Sequence, residues 1–558
     1  MYNCHMDTKK TGKIVYFLFF PAFILIWIML FWKCRFGFPS DEALYLLIPF
    51  RFINGDIPLL QEWHPTQISC LWIHPMVALF IKIAGSTEGI FLTFRYIFTA
   101  VWGLSSLFVF FRLRKLNVAG AAIASLMMFI YVPFGEMALY YNTIGLMTLI
   151  MSSAIVITAE RIKPLQFVFS GMLYAVSVTC CPFFAVLLPA VIVFLAVRKF
   201  RDIKLFLAFL GGIAAVFLVF CIYFLSSSSV SDVISNLHHI TGEREHQFSL
   251  ISKLISYFTD SFSSTIGVTI AIAMSVLTFL IVYLHRSESS KRLGFVFMCI
   301  TAAVLQVCFL IQNSYINNFM IAPAIIGLYC FLTSKDEKIK WIFLAMWIPG
   351  VIYSMCINIS SNVGFEAVAS ALTISSVASA VIAAVYVCAD SSGTSRRVRI
   401  ICLIAAALFF SFQLGLELYF RYDFVFEYAE FEHMTEEIGS GSVKGIVSTP
   451  NRSVYYLAMA DELSPLREGD YEDVLILSPE TWMYLDCGKN VSSYTSWTLN
   501  IDDTTLDTLE EYYSLYPDKK PDIIYVEPYY INLVPRLGEW GYHGDQTALG
   551  GYVLLPDH

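Results

Sequence analysis

Two adjacent carboxylates, Asp41 and Glu42, follow the first long apolar segment of the chain, which runs from Ile14 to Trp32. The pair therefore lies where the chain leaves the apolar phase. A carboxylate beside a bilayer is partly desolvated, which raises its pKa and makes it a better general base near neutral pH. Ionisable side chains at that depth are usually functional. The structural alternative is that Asp41 or Ser40 caps a helix beginning at Glu42.

The composition is that of a membrane protein. Of the 558 residues, 57% are hydrophobic and 14% are charged, and the mean hydropathy is +0.66. Soluble domains carry about 25% charged residues. Apolar stretches of about 20 residues, long enough to cross a bilayer core, recur along the chain. The first follows three lysines but lacks a small-residue cleavage site, so we interpret it as a retained helix and not as a signal peptide.

The net charge of −8 is unevenly distributed. Positions 420–558 carry 25 acidic and 8 basic residues, whereas positions 1–419 carry 28 basic and 19 acidic residues. An acidic C-terminal part argues against a nucleic-acid partner, which requires a basic surface. Most of the 13 cysteines lie in apolar segments, where they behave as small hydrophobes, and no metal-binding spacing is visible among them.

The positions of Lys and Arg between the apolar segments predict the topology, because short cytoplasmic loops collect these residues. Basic clusters occur at Lys9–Lys13, Arg112–Lys115, Arg161–Lys163, Arg198–Lys204, His285–Arg292, Lys335–Lys340 and Arg396–Arg399. All of them fall on one side if two segments cross the membrane between successive clusters. The outer loops are then residues 33–88, 135–142, 181–182, 226–262, 313–317 and 359–366. This predicts about thirteen spans, a cytoplasmic N-terminus and an extracytoplasmic C-terminal part in the cell membrane.

One apolar stretch, Cys70–Ala84, does not fit this scheme as a span. It is short, it is interrupted by His74-Pro75, and it carries Lys82. If it crossed the membrane, every later basic cluster would change sides. A helix in or near the outer interface is therefore the better interpretation.

The chain divides into a membrane domain at 1–419, with its first outer loop at about 33–88, and a small α/β domain at 420–558. Short β-rich runs at Val443–Ser448, Val474–Ser478 and Ile523–Glu527 alternate with helical patterns such as Leu506–Leu515. Strands that alternate with helices predict a parallel or mixed sheet. No Gly-rich nucleotide-binding loop follows any strand.

The first outer loop resembles that of the integral-membrane C-type (GT-C) glycosyltransferases, in the branch of the protein O-mannosyltransferases and aminoarabinose transferases. The resemblance is carried by Asp41-Glu42 just after the first span, by the aromatic Tyr45, by Asn54-Gly55-Asp56 and by Pro58-Leu59. Arg95 at the start of the second span and the basic exit at Arg112–Lys115 also match. The predicted number of spans and the outer globular domain agree with that family's architecture.

The resemblance implies a sugar donor linked to polyprenyl phosphate and an inverting transfer of a hexose or pentose to an acceptor hydroxyl. The acceptor would be a cell-envelope polymer, a lipid or a protein. Asp41 would take the proton from the acceptor, and Glu42 would position the acceptor or a divalent metal ion. For the donor phosphate, the loop at 226–262 offers Arg244 and His239, although ordinary solvated basic residues are an equal alternative.

Three further residues are candidates for substrate contacts. Tyr141 and Asn142 open the fourth span at the outer face, where Asn142 is equally suited to cap the helix. Glu366 precedes the twelfth span, where an ordinary acidic residue at a helix start is the simpler interpretation. Two other function classes remain open: a transporter or flippase of a lipid-linked saccharide, and a catalytically inactive scaffold. Against a transporter, the sequence shows no repeat, and its spans are almost free of ionisable residues.

Overall fold

Helices dominate the structure. The computed structural model describes the chain except at positions 1, 160–162, 190–202, 243–249, 264–265, 286, 313–315, 361–362, 390–394, 425–429, 499 and 558, and except for the side chains of 2–11, 250, 260–263 and 266. Within the described residues, nine helices are long and apolar enough to cross a bilayer: Gly12–Lys33, Ile90–Leu113, Tyr141–Thr158, Ile203–Leu225, Gly267–His285, Glu288–Ile311, Ile316–Thr333, Glu337–Ser360 and Arg396–Asp423. The bent pair Phe365–Ala371 and Thr373–Cys388 makes a tenth if it forms one span.

The prediction of a polytopic helical membrane protein is confirmed, and the number thirteen stays a prediction. Two shorter apolar helices, Val118–Ile130 and Pro164–Cys180, lie where further spans were predicted. Another predicted span falls largely on positions 190–202, outside the described residues. Many large apolar side chains on the outer surface of the bundle are exposed, such as Phe17 and Phe217. Exposed apolar surface of this extent requires lipid around it.

Contacts bring several of the predicted outer loops to one end of the bundle. Three hydrogen bonds join residues that lie in or next to these loops and are far apart in the sequence. The hydrogen bonds run from Trp72 Nε1 to Thr179 Oγ1 (2.8 Å), from Asn236 Nδ2 to the Leu59 carbonyl (2.6 Å) and from the Phe134 amide to Asn317 Oδ1 (3.0 Å). These loops therefore share one face of the membrane bundle.

The first outer loop contains three helices: α2 (Glu42–Ile53), α3 (Gln67–Cys70) and α4 (His74–Ala84), which follow the first membrane helix α1 (Tyr2–Lys33). Helix α4 has 11 residues, which gives a length of about 16 Å, against the roughly 30 Å of a hydrocarbon core. This length agrees with an interfacial helix. Helix α2 is buried along almost its whole length, because it lies beneath the C-terminal part of the chain.

The C-terminal part is built on a mixed sheet. A two-stranded pair, β1 (Glu436–Glu437) and β2 (Val447–Ser448), precedes a five-stranded sheet of order β4-β3-β5-β7-β6. Its strands are β3 (Asp473–Leu477), β4 (Asn490–Val491), β5 (Ile523–Val526), β6 (Tyr542–Gln546) and β7 (Tyr552–Pro556). The pairs β3–β4 and β3–β5 are parallel, whereas β5–β7 and β6–β7 are antiparallel.

Helices fill the connections of this part, at Pro450–Glu462, Ser464–Glu468, Trp482–Cys487, Asp503–Leu515 and Val534–Glu539. The predicted mixed sheet and two of its strands are present. The predicted strand at Val443–Ser448 is reduced to Val447–Ser448, because the chain turns through positive φ at Gly445. The last membrane helix continues to Asp423, beyond the predicted boundary at 419.

A buried charge network joins the first outer loop to the C-terminal part. Arg51 of α2 is fully buried and pairs with Asp56 (2.6 Å) and Glu62 (2.7 Å). Its guanidinium also donates to the carbonyl of Ser493 (2.7 Å), and Ser496 donates to Glu62. Removal of one member of a buried ion pair leaves an uncompensated charge, which costs more than the pair itself contributes.

We therefore expect Arg51→Met to destabilise the contact between the first outer loop and the C-terminal part by about 3–5 kcal/mol, because Glu62 would be buried without its basic partner, while Asp56 would keep only Lys519 (2.6 Å). Proteolysis and thermal unfolding in detergent would report the change as faster cleavage of the C-terminal part and a lower Tm. Arg35→Met is a matched control, since Arg35 joins the same two parts through an exposed pair with Glu437, and such pairs contribute about 0–1 kcal/mol. Equal stability of Arg51→Met and Arg35→Met would contradict the conclusion that the buried network of Arg51 holds the first outer loop to the C-terminal part.

Candidate functional site

Asp41 lies at the N-terminus of α2, and its side chain does not cap that helix. Its carboxylate accepts a hydrogen bond from Ser40 Oγ (3.3 Å) and is partly exposed. Burial raises the pKa of Asp41, the Ser40 hydrogen bond opposes that rise, and the negative charge of Glu42 adds to it. The capping interpretation is therefore wrong for Asp41. A half-buried carboxylate with a raised pKa and an exposed edge suits a general base.

Glu42 is held by Arg95, which lies near the start of the membrane helix α5 (Ile90–Leu113). Both carboxylate oxygens accept hydrogen bonds from the buried guanidinium, at 3.0 Å from Nε. The remaining Arg95 nitrogen donates to three backbone carbonyls between the end of α1 and α2, those of Cys34, Phe36 and Gly37. The pair therefore fixes the start of α2, and with it Asp41. The predicted contact of Glu42 with acceptor or metal stays a prediction.

A third carboxyl group, that of Glu136, faces Asp41 and Glu42 from the loop between α6 (Val118–Ile130) and α7 (Tyr141–Thr158). The turn before it is unusual, because Phe134 and Gly135 both have positive φ, 57° and 75°. Asn317 Oδ1 fixes this turn by accepting from the Phe134 amide (3.0 Å) and from the hydroxyl of Tyr131 (2.7 Å). A non-glycine residue in the left-handed region is strained, and such strain concentrates at functional sites.

The carboxyl group of Glu136 is nearly buried and its Oε1 has no hydrogen-bond partner. Burial raises the pKa of Glu136 well above the ordinary value, and the charges of Asp41 and Glu42 raise it further. The more distant Arg95 and the backbone N–H of Glu42 lower it by smaller amounts. Glu136 thus favours its protonated form beside a carboxylate that is closer to water. Two carboxyl groups with such different environments divide acid and base roles between them.

Aromatic rings form one wall beside the two carboxyl groups. Tyr45 of α2 packs on Tyr140 (ring centroids 4.8 Å apart) and on Tyr141 (6.2 Å). The cap position of α7 belongs to Tyr140, whose amide donates to Thr143 Oγ1, so Asn142 does not cap that helix. The partly exposed Tyr141 and the buried Asn142 are therefore both brought to the site by α7.

Three buried cations lie behind the carboxyl groups: Lys33, Arg95 and Arg421. Their charges are close enough to act on one another. Arg421 Nη1 donates to the Gly135 carbonyl (3.2 Å), and Lys33 Nζ donates to the Tyr422 carbonyl. Arg95 pairs with Glu42, whereas neither Lys33 nor Arg421 lies within ion-pair distance of a described carboxylate, although the charge of Asp423 acts on Lys33. A buried charge is costly unless an opposite charge compensates it, so this arrangement favours an anionic ligand.

The remaining predicted site residues are placed differently. Arg244 lies outside the described residues. His239 stacks on Trp63 and lies 3.9 Å from Glu511, and these neighbours are not shared with Asp41. Glu366 is half-buried in the first turn of Phe365–Ala371, a helix that packs on the turn preceding Glu136. The roles of these three residues stay predictions.

Sequence reasoning missed Glu136, Arg421 and Lys33. Glu136 stands alone in the predicted outer loop 135–142, and a carboxylate between two apolar segments was the signal that could have found it. Sequence reasoning also missed a polar chain, a row of hydrogen-bonded side chains inside the bundle. In this polar chain, Gln306 donates to Gln413 and Gln413 donates to the buried Glu417 (2.6 Å). Glu417 is therefore an exception to the expected lack of ionisable residues in the spans.

Comparison with known proteins finds no family model and no curated protein that matches the chain. The chemistry of the site therefore rests on its geometry at one end of the membrane bundle: two unlike carboxyl groups, an aromatic wall, and buried basic side chains that have no ion-pair partner among the described residues.

Proposed function

We propose that the chain is a membrane glycosyltransferase that moves a sugar from a polyprenyl-phosphate donor to an acceptor hydroxyl at the outer face of the cell membrane. The observation that supports this most directly is the position of Glu136, which lies close enough to Asp41 to be affected by its charge and follows Gly135, whose carbonyl accepts from the buried Arg421. Neither Arg421 nor its neighbour Lys33 forms an ion pair with a carboxylate of the described residues. The phosphodiester that joins the sugar to the lipid in such a donor supplies the missing anion, and its lipid tail fits an origin within the bilayer. The test is transfer of labelled sugar from such a donor.

The proposed reaction is one displacement. Asp41 removes the proton of the acceptor hydroxyl as its oxygen forms a bond to the anomeric carbon. The bond from that carbon to the phosphate oxygen breaks, and the electron pair leaves with polyprenyl phosphate. Arg421 and Lys33 stabilise the charge that develops on the leaving phosphate. Attack opposite to the leaving group inverts the anomeric configuration.

The other residues position Asp41 or the substrates in this proposal. Arg95 and Glu42 fix α2 so that Asp41 keeps its place. Glu136, in its protonated form, donates a hydrogen bond to the bound sugar or acceptor, while Tyr141 and Asn142 contact the sugar. The acceptor is a hydroxyl of a cell-envelope polymer, a lipid or a protein. A divalent metal beside Glu42 is not required by this step.

The pH dependence of kcat/KM follows from the two carboxyl groups. Asp41 must be ionised, so activity is lost as pH falls through its raised pKa, which lies above the ordinary value of about 3.9. Glu136 must be protonated, so activity is also lost as pH rises through its own raised pKa. We expect a bell-shaped profile for the wild type and loss of the alkaline limb in Glu136→Gln. An unchanged alkaline limb in that variant would remove Glu136 from this role.

The proposed orientation places the first outer loop and the C-terminal part outside. We expect Ser86→Cys, at an exposed position, to react with a membrane-impermeant maleimide in intact cells. Arg114→Cys, also exposed, should react only after permeabilisation. The unsubstituted chain gives the background, since Cys388 is already exposed. Reaction of Arg114→Cys in intact cells would invert the topology and move Asp41 to the inner face.

A flippase of lipid-linked saccharide is the second candidate, and the polar chain from Gln306 to Glu417 is the observation that favours it. Glu417 lies six residues before the end of its helix at Asp423, which places it roughly 9 Å from that end and not at the centre of the bundle. The polar chain from Gln306 to Glu417 is therefore better placed to support the outer site than to line a path across the membrane.

A further inference from the structure

A cluster of metal-ligating side chains lies away from Asp41, where the helix Val230–Thr241 meets the C-terminal part. The helix begins with a capping box formed by Ser229 and Asp232, and Asn236 ties it to the first outer loop through the Leu59 carbonyl (2.6 Å). Its last turn carries His238 and His239. These two histidines are brought to Glu511 of the helix Asp503–Leu515.

Neighbouring groups hold the imidazole rings of His238 and His239 in position. The ring of His239 stacks on Trp63, with centroids 4.1 Å apart and planes inclined by 8°, and its Nδ1 lies 3.9 Å from Glu511 Oε1. The ring of His238 lies 3.8 Å from that of His239. His238 Nδ1 is 2.6 Å from the Ser235 carbonyl, which can only accept, so Nδ1 carries the proton and Nε2 keeps its lone pair. A carbonyl behind a ligand histidine is the usual means of fixing its tautomer.

We propose that His238, His239 and Glu511 bind one divalent transition-metal ion, with Zn²⁺ as the best match. One donor atom from each residue lies within 4.8 Å of the other two. Two imidazoles and a carboxylate suit Zn²⁺, whereas Ca²⁺ and Mg²⁺ prefer sites made of oxygen alone. His238 and Glu511 are exposed, and rotation of their side chains would bring the three donors to the roughly 2.0–2.2 Å bonds of zinc, with water in the fourth position.

The electrostatic surroundings favour the ion. The C-terminal part is strongly acidic, which raises the local concentration of cations. The ion would join three segments: the outer loop through Trp63, the helix Val230–Thr241 and the helix Asp503–Leu515. It would thus secure the C-terminal part over α2.

The site goes beyond the proposed transfer reaction, and its test does not depend on activity. The full-length protein, purified without a histidine tag and stripped with a chelator, is titrated with Zn²⁺ by calorimetry and with Co²⁺ by visible absorption. We expect one Zn²⁺ per chain, d–d absorption from bound Co²⁺ and a higher Tm on addition of Zn²⁺. His238→Ala and Glu511→Gln should each weaken binding by at least about 10- to 100-fold.

His543→Ala is the matched control, because His543 is an exposed histidine that pairs with Asp557 elsewhere on the C-terminal part. It should bind Zn²⁺ as the wild type does. Glu511 is exposed, so Glu511→Gln should have the Tm of the wild type in EDTA, which shows that it folds. Absence of Zn²⁺ binding by the wild type, or equal binding by all variants, would overturn the proposal.

Discussion

Asp41→Asn is expected to lower the kcat of sugar transfer by about 10²- to 10⁴-fold, the usual contribution of a general base. The amide keeps the shape of the side chain and its contact with Ser40, but it has no lone pair that can take the proton of the acceptor. Because Asp41 does not cap α2, the helix should remain intact. The loss should therefore fall on kcat, with little change in the KM for the donor and in Tm.

The matched control is Glu88→Gln, in the same outer loop. Glu88 is exposed and pairs with Lys444 on the C-terminal part at 2.9 Å, away from the carboxyl pair. Its activity should equal that of the wild type. If Asp41→Asn transfers sugar at the wild-type rate, Asp41 is not the base. If Glu88→Gln loses as much activity as Asp41→Asn, the effect comes from the loop as a whole.

Arg421→Gln is expected to raise the KM for a polyprenyl-phosphate sugar by about 10- to 100-fold, since a hydrogen bond to a charged group is worth about 1.5–3 kcal/mol. The amide of Gln is two bonds shorter than the guanidinium, so the hydrogen bond to the Gly135 carbonyl is lost with the charge, while Asn317 still holds the turn before Glu136. Arg421→Lys keeps the charge and should recover part of the loss. Titration with inorganic phosphate as an inhibitor separates anion binding from turnover.

Arg399→Gln is the control for this variant, because Arg399 is partly exposed at the opposite end of the same helix and donates to the Cys388 carbonyl. Its KM should be that of the wild type. Equal KM values for Arg421→Gln and the wild type, together with unchanged phosphate inhibition, would contradict an anion site between Lys33 and Arg421.

The architecture could be predicted because it depends on local signals. Runs of apolar residues and the Lys and Arg between them indicate helices and the loops that join them, whatever the packing. The β-rich runs at Val474 and Ile523 were found for the same reason, since both strands are buried on a mixed sheet. The hairpin of β6 and β7 was missed, because β6 is polar and mostly exposed and shows no apolar run.

The candidate site was predicted only in part, because it depends on long-range contacts. Asp41 was recognisable from its place after the first span. The partnership of Glu42 with Arg95 joins residues 53 positions apart, and no periodicity indicates it. Glu136 depends on a turn with positive φ at Phe134, which nothing in that residue type predicts. Arg421 has no ion-pair partner within the part of the chain that the structure describes, which depends on its surroundings and cannot be read from the sequence.

The most direct test of the proposed transferase is one experiment on the purified protein in liposomes. A polyprenyl-phosphate sugar, labelled in the sugar, is supplied with membrane extract as the source of acceptor. Release of polyprenyl phosphate and movement of label across the bilayer are measured together. We expect cleavage of the sugar–phosphate bond by the wild type and by Glu88→Gln, and none by Asp41→Asn. Movement of intact donor across the bilayer, at the same rate in all three, would contradict the proposed transferase.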